Sequence, residues 1–94
     1  MTARHITDEL AALIADYRHC AAAFERVDPA DPARDAAGAA VIEARNALLD
    51  HRPAALAEFH AKFVALIPAT RDDSECYILR HLAEDIINLM EGGR

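Results

Sequence analysis

The chain has almost none of the residues that build phosphate loops or hydroxyl nucleophiles: three glycines (Gly38, Gly92 and Gly93) and one serine, Ser74, in 94 residues. Without a glycine-rich turn to bring backbone N–H groups onto a phosphate, nucleotide cradling has no support. A lone serine gives none to serine chemistry either. Lysine is also scarce, with Lys62 alone among ten basic residues. The net charge is −6 and no run of Arg or Lys occurs. Nucleic acid and anionic lipid bind concentrated positive charge, so neither is an expected partner. Two cysteines, Cys20 and Cys76, are too far apart for a metal-binding pair and too few for a disulfide framework. They read as reduced thiols. The start, Met1 to Glu9, holds no apolar signal region, and no stretch approaches the roughly 18 apolar residues of a spanning helix. The expectation is a cytoplasmic protein that does not enter membranes.

What is present is helix. Four prolines, Pro29, Pro32, Pro53 and Pro68, divide the chain into stretches that carry helical rather than strand-like apolar spacing. Proline lacks an N–H and clashes with the preceding turn, so each should mark a helix start or a connection. The expected fold is all-α: a small antiparallel bundle of four helices, at about 7–28, 32–50, 53–67 and 71–91, in a single domain spanning 1–94. Large apolar residues (Leu, Ile, Val, Phe, Met, Tyr) number 26 against 22 alanines. Alanine favours helix but buries little area, so the core of one copy is modest and pairing with another chain is expected.

The first helix should begin at Thr7, whose hydroxyl can accept an orphan N–H, with Asp8 and Glu9 at the positive end of the dipole. Leu10, Leu13, Tyr17, Cys20, Phe24 and Val27 form a heptad seam in it. Asp31 before Pro32 is a matched cap and first residue for the second helix, where Ala37, Val41, Ala44 and Leu48 share a face beside Gly38. The third helix, from Pro53, offers Leu56, Phe59, Phe63 and Leu66 as its core stripe, with Glu58 and Lys62 as an i,i+4 pair on the outside. On that reading, Phe63→Ala is among the costliest substitutions, on the order of 3 kcal/mol or more. The last helix should be capped by Thr70, with Asp72 and Asp73 in its first turn, and ended by Gly92 and Gly93. Leu79, Leu82, Ile86 and Leu89 form its seam, and Ile78, Ala83, Ile87 and Met90 widen it. That breadth makes it the expected central helix, or one that meets a second subunit.

The run Pro53-Ala54-Ala55-Leu56-Ala57, followed by Ala61-Lys62, resembles a stretch found in short uncharacterised all-helical proteins of bacteria, over roughly residues 43 to 89. The resemblance implies a helical fold. It brings with it no activity, cofactor or catalytic residue.

Five histidines raise a metal site. Asp16 with His19, and His81 with Asp85, each share a helix face, so the two pairs could together supply four ligands if the first and last helices pack. Their heptad positions place them beside the seams rather than in them, which favours solvent-facing histidines; no metal or cofactor is expected. Cys20 sits on the seam as an inert thiol, while Cys76 lies in an acidic first turn, where its tuning is undecided. Residues 72 to 94 hold six acids and two bases, which makes a solvated face or an acidic docking surface for a basic partner. The functional expectation is a non-enzymatic interaction or regulatory module acting as a homodimer or with another protein. Its rival is a small ligand- or metal-binding bundle built on Asp16, His19, His81 and Asp85.

Overall fold

The computed structural model describes residues 6–72 and 76–92, and among these the chain is four α-helices with no strand. They are α1 (Asp8–Arg26), α2 (Ala33–Asp50), α3 (Leu56–Leu66) and α4 (Tyr77–Gly92), with a 3-10 helix, Ile67–Asp72, continuing α3. The small all-α bundle read from the sequence is what forms. Thr7 caps α1 as expected: its Oγ1 accepts the N–H of Leu10 at 3.1 Å. The Asp31 signal also holds. Its Oδ1 accepts the N–H of Ala33 at 2.9 Å, and Pro32 already has right-handed helical dihedrals.

The turn between α1 and α2 is clamped by Arg34, whose Nη1 donates to Val27 O at 2.7 Å while its guanidinium lies 4.0 Å from the centre of the Phe24 ring. Gly38 explains why that ring fits: a Cβ there would stand 3.3 Å from Phe24 Cε1. The alanine-rich second segment is thus a full helix, with Gly38 making room for an aromatic ring. At the other end of the pair, Glu9 of α1 comes within 3.9 Å of His51, just past α2.

Two helix starts differ from the sequence reading. α3 begins at Leu56, not Pro53, because side chains hold one backbone N–H and one carbonyl of the segment before it. Glu58 Oε1 accepts the N–H of Ala54 at 2.8 Å and Lys62 Nζ donates to His51 O at 2.7 Å, so the first helical bonds run to Ala55 O instead. α4 begins at Tyr77 rather than near residue 71. Thr70 is inside the 3-10 helix, its hydroxyl donating back to Ile67 O at 2.7 Å, and the first turn of α4 is closed by Arg80 N–H to Cys76 O. Cys76 precedes the helix with φ 58°. The Asp73 and Gly93 expectations lie outside the described residues.

Leu10, Ile14, Tyr17, Ala44, Leu48, Leu49, Ala65, Leu66, Ile78 and Leu82 form the buried core. α1 meets α3 as well as α2, which widens its buried stripe from the predicted seam to Ile14. Burial pushes the Tyr17 phenol above the ordinary tyrosine value, with nearby Arg45 partly offsetting it. α4 is not the central helix. α3 packs closely on every other helix, whereas α4 meets α2, α3 and the 3-10 helix, and among the described residues no Cα of α1 lies within 8 Å of one of α4. The bundle is flattened: Cα atoms span 51 × 34 × 16 Å, and the radius of gyration is 14.6 Å, against about 12 Å for a compact domain of this length.

Candidate interaction surface

α3 is folded inside out relative to its sequence pattern. Lys62, expected on the outside, is 0% exposed, and Glu58 is buried as well. The cause lies in groups distant in sequence. α2 ends with carbonyls that no intrahelical N–H reaches, and they carry the negative end of its dipole. Lys62 Nζ satisfies two such groups in this connection, donating to Leu49 O at 2.8 Å and His51 O at 2.7 Å, and its third donor meets Asp85 Oδ2 of α4 at 2.6 Å. An ammonium has three N–H donors, and all three are used. Burial of this charge is tolerable only because the counter-ion and both carbonyls are present.

Glu58 does the parallel task at helix N-termini. Its Oε2 accepts the N–H of Thr7 at 2.9 Å and its Oε1 that of Ala54, tying the start of α1 to the approach of α3. These bonds hold the Glu58 carboxyl below the ordinary glutamate value, the Ala54 N–H being the largest cause, while burial opposes them. His51 lies between Glu9 and Glu58, 3.9 Å from each, and its Nε2 is buried with no hydrogen-bond partner. The expected Glu58–Lys62 pair is therefore replaced by two separate links, each reaching across the fold.

Turning its charged side inward obliges α3 to turn large apolar side chains outward. Leu56 is 67% exposed, Phe63 37%, Val64 40% and Ile67 46%. At about 100° per residue these positions, with His60, share one face. Phe63 is thus not a core residue, contrary to the sequence reading. Its ring instead stacks on that of half-buried Phe59, centroids 6.0 Å apart. α4 behaves similarly. Ile78, Leu82 and Asp85 are its buried residues, so the predicted seam is rotated and Leu79 lies outside with Ile87 and the 75% exposed Met90. The two outward faces join at a groove of about 380 Å³ lined by Ala54, Ala55, Leu56, Ile86, Leu89 and Met90.

The four metal-site candidates are not brought together. Asp16 and His19 are exposed on α1. His81 and Asp85 are on α4, no Cα of which lies within 8 Å of one of α1 among the described residues. His81 packs edge-on against Tyr77, centroids 4.7 Å apart, and Asp85 is the counter-ion of Lys62. No group of three or more His, Cys, Asp or Glu side chains placed to hold a metal occurs among the described residues. Cys20 is half-buried, its thiol 4.0 Å from Asp16 Oδ1, and Cys76 is exposed. No helix among the described residues is long and apolar enough to cross a membrane. Compared with family models, curated proteins and solved structures, the chain matches none.

Proposed function

We propose that this chain is a non-enzymatic protein–protein interaction module that offers the outward face of α3, continued by α4, to a helix of a partner protein. One observation carries the reading: a helix that buries Glu58 and Lys62 while exposing Leu56, Phe63, Val64 and Ile67. A surface helix ordinarily does the reverse. From their exposed fractions these four residues, with Ile87 and Met90, present on the order of 500 Å² of apolar area, the size of the largest patch on a typical monomer, which is often a functional one. Two free thiols fit a reducing compartment, so we place its action in the cytoplasm.

The test is co-purification of the tagged full chain from its native source, beside a Phe63→Glu, Ile67→Glu variant whose folding is checked by circular dichroism. Both positions are partly exposed, so the variant should fold. Chains retained by the wild type and lost from the variant bear the proposal out. An identical retained set refutes it.

A further inference from the structure

Resting on that reading, we infer that the partner is a second copy of this chain, whose α3 lies antiparallel to the first across a two-fold axis passing between His60 and Phe63. Of the outward positions of α3 and its continuation, 56, 60, 63, 64 and 67, the four at 56, 60, 63 and 67 are spaced 4, 3, 4, while Val64 falls opposite half-buried Phe59 of the second copy. That spacing reads the same in both directions. A two-fold axis at its midpoint sets Leu56 opposite Ile67 of the second copy and His60 opposite Phe63 of the second copy, and by symmetry each contact occurs twice. This is the self-complementarity that a closed two-fold interface requires. Leu56 and Ile67 meet as aliphatic side chains, and each imidazole meets a phenyl ring that is stacked on that of Phe59.

The groove at the join of α3 and α4 supports this arrangement independently. Leu56 is one of its walls, so the symmetry that brings Ile67 of the second copy against Leu56 also brings it to the mouth of this apolar groove of about 380 Å³. A knob, 46% exposed in one copy, thus meets a hole in the other. Charge points the same way. Each chain carries −6, so two copies repel wherever acidic surfaces face. The outward side of α3 contains no Asp, Glu, Lys or Arg, because Glu58 and Lys62 are turned inward. A face without acids, bordered by Arg18 of α1 in the groove that His60 and Val64 line, is where acidic copies approach at least electrostatic cost. The exposed apolar area, on the order of 500 Å² with Ile87 and Met90 of α4 included, is somewhat over half of the roughly 800 Å² per partner of a standard interface.

The experiment uses the full chain with Cys20→Ser and Cys76→Ser, into which Leu56→Cys and Ile67→Cys are placed in separate proteins. Mass is measured by light scattering over a wide concentration range, and disulfide formation under copper phenanthroline is followed on non-reducing gels. Expected are a mass twice 10.3 kDa, a covalent dimer when the two cysteine variants are mixed, and at least tenfold less when either is oxidised alone. Phe63→Glu should weaken association at least 100-fold. A dimer that cross-links equally well within each variant, or that Phe63→Glu leaves intact, overturns the arrangement. A monomer at every concentration overturns the second copy as partner, while the broader reading still stands or falls by the co-purification test.

Discussion

Removing the counter-ion of Lys62 tests the inverted helix through its energetics. In Asp85→Ala the ammonium keeps its bonds to Leu49 O and His51 O but loses the carboxylate 2.6 Å away, in a site where the lysine is 0% exposed. Deleting one member of a buried pair costs about 3–5 kcal/mol, because an uncompensated charge is left in a medium that solvates it poorly. A domain of this length has a total stability of about 5–14 kcal/mol, so the variant should be marginal, with a midpoint lower by roughly 15–30 °C. Lys62→Met should cost a similar amount, since it strands both the Asp85 carboxylate and two carbonyls. The double variant separates mechanism from mere crowding. With no charge left to bury, it should cost less than the two singles together by about 2–3 kcal/mol. Urea unfolding followed by circular dichroism, with all four proteins at one concentration, gives these values. An Asp85→Ala cost under about 1 kcal/mol, additive with Lys62→Met, would refute the reasoning, because it would mean that water reaches the ammonium.

Two further outcomes follow from the same geometry. Phe63→Ala should lower the stability of the isolated fold by less than about 1 kcal/mol, whereas Leu66→Ala, fully buried three residues on, should cost about 2–5 kcal/mol by chemical denaturation. The reverse order would return Phe63 to the core. Glu58, held below the ordinary glutamate value of 4.5 by the N–H groups of Ala54 and Thr7, contributes stability that is complete above that value and is lost as pH falls from it towards the folded value. Denaturation midpoints should therefore drop as pH falls below 4.5, and Glu58→Gln should be less stable at pH 7 yet show a shallower drop; parallel curves would exclude Glu58 as a source.

Much of this fold was legible in the chain, and the part that was not has a clear physical origin. Thr7, Asp31 and the proline spacing act within a turn or two, and local signals of that kind located α1 and α2 closely. α3 failed on its orientation. Periodicity assigns the apolar stripe to the core, and at 56, 59, 63 and 66 it gave a plausible stripe that the structure splits, with Leu66 buried, Phe59 half-buried and Leu56 and Phe63 outside. What overrides it are bonds from Lys62 to residues 11, 13 and 23 positions away, which no local pattern displays. Two signals were nonetheless in the sequence. Asp85 interrupts the apolar series Leu82, Ile86, Leu89, and the chain's sole lysine lies four residues from Glu58 in its most apolar helix. An acid within one apolar stripe and a lone base within another are candidates for pairing with each other. The sequence offers Asp85 as a possible metal ligand; its neighbour in the structure is the Lys62 ammonium.

The most direct measurement of the inverted α3 is the reactivity of its single lysine. Amine acetylation under native conditions, read by peptide mapping, should leave the Lys62 peptide at least tenfold less modified than in urea, because all three N–H donors are engaged and no solvent reaches them. Native modification at the rate of the unfolded chain would place Lys62 on the surface, return Phe63 and Leu56 to the interior, and remove the apolar face on which the proposed association depends.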